Sequence, residues 1–312
     1  MLVSIALYQI GFYLIQKNIK HMRKAIFIDE NIHILTGREA EIALRKDNDL
    51  QFLSDDNGIQ RVSFERWQIA QAAERRHWME RGLSKVDDRN YEHFINFDRY
   101  SILRKNLFRS AIEIGCGPFT NLRLIGDICK IRECTLLDPL IEEYLKHPKN
   151  SYSKNYLFIE STINSEILNN IYNKIRHYFP PIKKIKRIPI KELLLLPAEQ
   201  MPLNRQYDLL IIINVIEHCY DVDKIFKNIE AIMKKNSIIV FHDVLFDHDT
   251  VKKNVFNIYD AAHPLQADKG VIRHFLDSNF RPLFNRILPR KYCLEGIDFE
   301  DEVFYFIGEK LG

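Results

Sequence analysis

The stretch Ala111-Ile112-Glu113-Ile114-Gly115-Cys116-Gly117-Pro118-Phe119-Thr120 decides how the rest of this 312-residue sequence is read. A short apolar run over 110–114 ends on one glycine, a second glycine follows, and 121–128 carries helical spacing. Glycine has no Cβ, so the chain can turn sharply out of a strand and its backbone can approach a bound group. A helix beginning there offers unpaired N–H groups and a positive dipole end to an anion. Residues 133–137 form the next apolar run, ended by Asp138. A carboxylate at that strand tip can accept hydrogen bonds from the hydroxyls of a nucleotide ribose.

Further along, residues 140–147 begin another helix. Within residues 207–214 the run 209–213 is continuously apolar, as expected for a central parallel strand buried on both faces. Residues 223–233 read as a helix, 237–242 as another apolar strand, and 280–287 and 303–308 as the last strands. Strands alternating with helices predict an α/β fold: a Rossmann-like, doubly wound, mostly parallel sheet of about seven strands. The main domain is placed at 101–312. Between Asp138 and Ala198 the chain is much longer than one helix and one strand require, so 148–190 reads as an insertion after the second strand. It contains Pro180-Pro181 and the basic run Lys183-Lys184-Ile185-Lys186-Arg187. Such a run is usually a solvated face; contact with phosphate or nucleic acid is the alternative.

Residues 22–100 read as a β-hairpin and helical cap. Residues 25–35 alternate partly, and Asn57-Gly58 lies between the apolar runs 50–53 and 59–62, a strong hairpin signal. Phe64, Trp67, Ala70, Gln71, Glu74 and Trp78 then recur at steps of three and four, which predicts a helix with both tryptophans packed on the main domain. A second helical stretch begins near residue 92. Residues 1–21 are an apolar N-terminal segment, with Met22 as an alternative start. A helix over 2–15 would reach about 21 Å, short of a hydrocarbon core of about 30 Å. The segment lacks a basic n-region and a small-residue cleavage site, so it is not read as a signal peptide. Packing on the protein is one reading of it. Contact of residues 2–24 with a membrane surface, through Lys17, Lys20, Arg23 and Lys24, is the other.

Composition narrows the class. Hydrophobic residues at 46% and charged residues at 28% exclude a mostly disordered, collagen-like or coiled-coil chain. A net charge of +3 argues against a dedicated nucleic-acid binder. The 5 cysteines are odd in number and none has C-x-x-C spacing, which speaks against a disulfide framework or zinc knuckle and for a cytoplasmic protein.

The turn is not a dinucleotide fingerprint, because Thr120 stands where a third glycine or an alanine belongs. Glu113-x-Gly115-x-Gly117 resembles instead the first motif of class I S-adenosylmethionine-dependent methyltransferases. Ala198-Glu199-Gln200-Met201-Pro202-Leu203 with Tyr207-Asp208, and Asn214-Val215-Ile216-Glu217-His218 with Asp221, resemble two further motifs in the family's order. The ubiquinone-type and small-molecule branch is the most similar. The resemblance implies S-adenosyl-L-methionine as cofactor. By it, Gly115, Cys116 and Gly117 line the methionine part, and Glu113 orients the ammonium directly or through water. Asp138 holds the ribose, Ala198 and Glu199 flank the adenine, and Asn214 and Val215 sit under the sulfonium. Two departures are Pro197, where the family often has Asp, and Lys235-Asn236-Ser237 in place of a glycine-rich turn before the fifth strand.

Methyl transfer from a sulfonium needs alignment above all, and a base only if the nucleophile must lose a proton. The catalytic candidates are His218 and His242, both placed at strand ends, the second beside Asp243. The run His242-Asp243…Asp247-His248-Asp249 contains metal-ligand side chains, yet it reads more simply as a polar loop, and no metal set is expected. Residues 255–276 read as a segment covering the substrate, with His263 able to touch it or to belong to the cover. The expected reaction is methylation of oxygen or nitrogen on a small molecule. An RNA- or protein-modifying enzyme and a non-catalytic, cofactor-binding partner subunit are the alternatives.

Overall fold

The computed structural model describes residues 26–27, 32–46, 53–54, 58–81, 89–162, 183–247, 249, 258–294 and 297–312. The apolar segment 1–21, His248 and residues 163–182 of the expected insertion lie outside them. In chain order the strands are β1 Ile26–Phe27, β2 Ile32–Thr36, β3 Leu53–Ser54, β4 Gly58–Ile59, β5 Leu107–Ile114, β6 Lys130–Leu137 and β7 Tyr156–Thr162. They continue as β8 Lys183–Leu194, β9 Tyr207–Ile213, β10 Met233–Leu245, β11 Ile258–Asp260, β12 Gln266–Ala267, β13 Phe280–Leu294 and β14 Ile297–Lys310. The helices are α1 Gly37–Lys46, α2 Phe64–Arg76, α3 Arg89–Asn96, α4 Leu122–Ile128, α5 Ile141–Tyr144, α6 Val222–Ile232 and α7 Lys269–Asn279.

The central sheet has eight strands in the order β13-β14-β10-β9-β5-β6-β8-β7. Pairs β5–β6, β6–β8, β5–β9 and β9–β10 are parallel, β14 joins β10 and β13 joins β14 antiparallel, and β7 adds an antiparallel strand at the other edge. This is the Rossmann-like α/β architecture, with one strand more than expected. The extra strand is β7, which pairs with the first half of β8 at the sheet edge. The chain builds outward from β5 through β6 to β8, then returns to place β9 on the other side of β5. The switch point therefore falls between the ends of β5 and β9, where such sheets bind ligands.

The two layers of core follow from the period of the strands. In β9, Leu210 and Ile212 belong to one buried cluster and Leu209, Ile211 and Ile213 to the other. The first face packs against Ile225 and Ile229 of α6 and Phe275 and Leu276 of α7, with the Phe226 and Phe275 rings stacked at 3.9 Å. The second packs against Leu122 and Ile125 of α4, Ile141 of α5, and Phe97, Tyr100 and Leu103. Full burial of each such side chain contributes on the order of 1.5–3 kcal/mol. A strand apolar on both faces can only sit between two layers of helices.

The N-terminal residues form two small sheets, β1-β2-β11 and β12-β4-β3, and each takes a strand from the segment 258–267. Gly58 closes the β3–β4 hairpin at φ +71, and a Cβ there would run into the Gln266 carbonyl. Helix α2 starts on Ser63, whose side chain accepts from Arg66 N at 3.1 Å, and it runs into a π-helical turn over His77–Arg81. Buried Arg66 donates to the carbonyls of Ala261 at 2.8 Å and Asp260 at 2.5 Å, fixing segment 258–267 to α2. Both tryptophans pack as expected, Trp67 against Tyr220 and Trp78 against Phe119.

One boundary differs with consequence. The fifth parallel strand was expected to stop at His242, but β10 continues to Leu245, so His242 and Asp243 are strand residues and not a polar loop. The cause is β14, which pairs residue by residue with β10 and sets His242 opposite Tyr305 and Asp243 opposite Phe304.

Candidate active site

A cavity of about 820 Å³ opens over the carboxyl ends of β5, β6, β9 and β10, and its other walls come from α2, α3, segment 260–266 and the β13–β14 pair. The glycine turn forms its floor. Gly115 N and Cys116 N donate to the Leu137 carbonyl at 2.8 and 3.3 Å, which ties the turn to the end of β6. Gly115 and Gly117 have φ of +67 and +54, a left-handed backbone that L side chains adopt only under strain. A Cβ on Gly115 would collide with Val215, whereas one on Gly117 would meet nothing within 4 Å. The bare backbone at Gly117 thus faces open space on the cavity wall. Cys116 is buried among apolar groups, and burial pushes its thiol well above its ordinary range, so it is packing and not a nucleophile.

Asp138 also lines the cavity. Its carboxylate accepts from Gly117 N at 3.1 Å and Leu140 N at 2.9 Å, which aims it across the turn. Burial raises it to about 6 against the pull of those two N–H groups, so it is mostly ionised at neutral pH. Ala198 and Glu199 form a short 3-10 turn on the same wall, held by Asn228 Nδ2, which donates to both carbonyls at 3.1 Å. Glu199 Oε1 accepts from Tyr220 N at 2.5 Å and Asp221 N at 3.0 Å, while its Oε2 is buried without a hydrogen-bond partner. Asn214 ends β9 at φ 58, a conformation asparagine tolerates better than most residues, and Val215 follows under the turn.

Glu113 stands apart from the other expected cofactor residues. It does not line the cavity. Its carboxylate accepts from Thr120 Oγ1, from Asn121 N at 2.8 Å and from Leu122 N at 3.0 Å, so it caps α4 and pins the turn. Burial raises it to about 7 despite these bonds. A direct contact with the ammonium does not fit this placement; Glu113 shapes the turn from behind. Asp208, at the far end of β9, is likewise structural: it accepts from Arg109 N at 2.8 Å and pairs with Lys234 at 2.8 Å.

The model of a methyltransferase domain family matches residues 77–284. This chain belongs to that family. The methyltransferase uses S-adenosylmethionine, and the cavity fits it: a glycine turn with bare backbone, an ionised carboxylate at the tip of β6, and an orphaned buried oxygen on Glu199 all face one space. Gly115, Cys116, Gly117, Asp138, Ala198, Glu199, Asn214 and Val215 all line it. Among solved structures, the chain is similar to the N-methyltransferase NodS from Bradyrhizobium japonicum WM9 in complex with S-adenosyl-L-homocysteine. Identity is 13%, with a TM-score of 0.42 over 76% of this chain and 98% of that one. It is also similar to YcgJ from Bacillus subtilis, with 11% identity and a TM-score of 0.44 over 71% and 99%. TehB from Haemophilus influenzae gives 11% and 0.43 over 70% and 61%. No curated protein matches. Among the described residues, no helix is long and apolar enough to cross a membrane.

Both expected catalytic histidines line the methyltransferase cavity, in different settings. His242 is buried, its ring 4.4 Å from that of His93 and 4.3 Å from that of Tyr305. Burial, then His93 and Arg290, push it well below its ordinary range, so it is neutral at pH 7. His218 sits on the 3-10 turn after β9, its ring 4.6 Å from that of His263. Asp243 accepts from Val215 N at 3.2 Å and Ile216 N at 2.8 Å, which holds that turn in place. Burial, then the charge of Glu217, raises Asp243 to about 7. Burial opposes charge on His263, but Asp260 and Glu217 outweigh it and raise the imidazole to about 10. His263 is therefore a cation at neutral pH and no base.

Sequence reasoning missed Glu74 and Asp260. Glu74 Oε2 accepts from Trp78 Nε1 at 3.0 Å, and Oε1 lies 3.5 Å from His218 Nδ1. Burial alone would raise Glu74, but His218, His263 and His77 outweigh it and leave it below the usual carboxylate range. A signal was present: Glu74 falls on the inward stripe of α2, among Trp67, Ala70 and Trp78, where an acidic residue has no reason to be unless it faces something polar.

Proposed function

We propose that this methyltransferase methylates an oxygen or nitrogen of a small molecule bound in the cavity over β9 and β10. One observation carries the reading: the walls around the glycine turn are completed by the chain's own α2, α3 and segment 260–266, so cofactor and acceptor share one space of small-molecule size. The bound cofactor supplies an electrophilic methyl on a sulfonium leaving group. The protein's part is alignment, which can supply on the order of 7–11 kcal/mol. Asn214 and Val215 set the depth of the floor, and the Asp243 bonds to Val215 N and Ile216 N keep it rigid. Burial makes His242 a weak base, and His218 lines the same cavity on the turn after β9.

The basic run does not favour a nucleic-acid substrate. Lys186 Nζ donates to the carbonyls of Gly126 at 2.6 Å and Cys129 at 3.3 Å, and Arg187 lies over the Tyr156 and Phe158 rings. Both side chains are used within the fold, on residues outside the cavity lining. The test is calorimetry with S-adenosylhomocysteine and with NAD, followed by transfer of labelled methyl to fractionated extracts. Label entering the small-molecule fraction supports the reading. Label entering only RNA or protein, or binding of NAD in place of S-adenosylhomocysteine, would sink it.

A further inference from the structure

We propose that Glu74, His218 and His263, with Glu217 beside them, form a binding site for a divalent transition-metal ion on the cavity wall. One ligand-type atom from each of Glu74, His218 and His263 lies within 4.8 Å of the others. The three come from α2, from the turn after β9 and from the segment after β11, so the fold and not local sequence assembles them. Glu217 Oε1 faces both imidazoles, 3.9 Å from His218 Nε2 and 3.8 Å from His263 Nε2.

These spacings are those of ion pairs rather than hydrogen bonds, and they leave room for an ion between the groups. Good hydrogen bonds span about 2.7–3.2 Å. The contacts at 3.5, 3.8 and 3.9 Å are too long for that. Ligands at about 2.1 Å from a common ion stand roughly 3.0–3.4 Å apart, which small rotations of these side chains reach. The tight contacts lie behind the set. Asp260 Oδ2 is 2.6 Å from His263 Nδ1 and holds a proton there, so an ion entering the set displaces the proton from Nε2 and takes that nitrogen as its ligand. The Ala262 carbonyl, 3.2 Å from His218 Nδ1, favours the proton on that nitrogen and leaves Nε2 as the ring's ligand atom, while Trp78 Nε1 holds Glu74 Oε2 and leaves Oε1 turned to the histidines. Carboxylates, carbonyls and ring N–H groups behind ligands are the usual orienting shell of a metal site.

Two imidazoles with carboxylates suit zinc, iron(II), manganese or their neighbours better than magnesium or calcium, which prefer oxygen alone. Side-chain exposures of 18% for Glu74 and His218 and 34% for His263 leave the set open to the cavity. An ion there would keep positions free for an oxygen or nitrogen of the acceptor, and that consequence rests on the small-molecule reading above. The metal site itself does not.

The experiment uses the full chain, stripped with chelator and titrated with zinc chloride, manganese chloride and magnesium chloride by calorimetry, with metal content after dialysis read by mass spectrometry. The expected result is stoichiometric zinc or manganese and no comparable magnesium binding. H218A/H263A should lose the ion, and Asp260→Asn should weaken it roughly 10–100-fold. Binding of S-adenosylhomocysteine by the same variants shows that they fold. If the double variant does not fold, Glu74→Gln and the ligand-field spectrum of the cobalt-loaded parent serve instead; a spectrum that this substitution leaves unchanged overturns the proposal. No stoichiometric ion on the parent, or equal binding by parent and H218A/H263A, also overturns it. Loss of S-adenosylhomocysteine binding by the parent would instead remove the cofactor reading and leave the metal result standing.

Discussion

Gly115 and Gly117 look alike in sequence, yet the structure assigns them different costs. Both have left-handed φ, +67 and +54, so alanine at either carries a strain of roughly 1–2 kcal/mol. At Gly115 the new Cβ also meets the branched Val215 side chain, which is itself buried under the turn. Overpacking of that kind adds about 1–3 kcal/mol, so Gly115→Ala should lose roughly 2–5 kcal/mol of stability. At Gly117 the Cβ meets nothing within 4 Å, so Gly117→Ala should lose only the strain. The empty space beside Gly117 is assigned to the cofactor, however, and a methyl group there must be accommodated on binding. A misfit of about 1–3 kcal/mol corresponds to roughly 5- to 150-fold weaker binding. Thermal melts rank the two variants for stability, and calorimetry with S-adenosylhomocysteine reads the second effect. Gly117→Ala binding with parental affinity would show that the cofactor does not lie against that backbone. Equal melting losses in the two variants would show that the Val215 contact is misjudged.

Three further outcomes are expected. Asp138→Ala should weaken S-adenosylhomocysteine binding by about 1.5–3 kcal/mol. With the ionised carboxylate assigned to the ribose hydroxyls, affinity should also be full well above pH 6 and fall as pH drops through the value of about 6, a dependence absent in the variant; calorimetry across pH reads both. Glu113 is raised from 4.5 to about 7, so its contribution to folding is fully present below 4.5 and is lost as pH rises through about 7. Glu113→Ala should remove that slope from denaturant titrations, while leaving Asn121 N and Leu122 N without their acceptor at about 1–3 kcal/mol. Arg66→Ala should free the Asp260 and Ala261 carbonyls from their buried donor, seen as faster proteolysis near residues 258–267 and weaker thermal stability; unchanged cleavage would show that α2 does not hold that segment.

Much of the fold was legible because its causes are local. A strand that must end in two left-handed residues requires glycine, and Gly115 and Gly117 are where the sequence has them. A strand covered on both faces must be apolar at every position, and 209–213 is. The β3–β4 hairpin closed at Gly58 and the inward stripe of α2 have equally local reasons. The harder features depend on partners far along the chain. The length of β10 is set by β14, which arrives some sixty residues later and carries His242 and Asp243 into the strand. Glu113 reads in sequence as a cofactor ligand, but the start of α4 closes over it and takes both carboxylate oxygens. Glu74, His218 and His263 meet because α2, the turn after β9 and the segment after β11 converge on one wall. Backbone conformation and burial pattern are written residue by residue, so the sequence alone determined the α/β sheet, the glycine turn and the family. Which polar groups face one another depends on how distant segments dock, so only the tertiary structure decided the chemistry of the acceptor side.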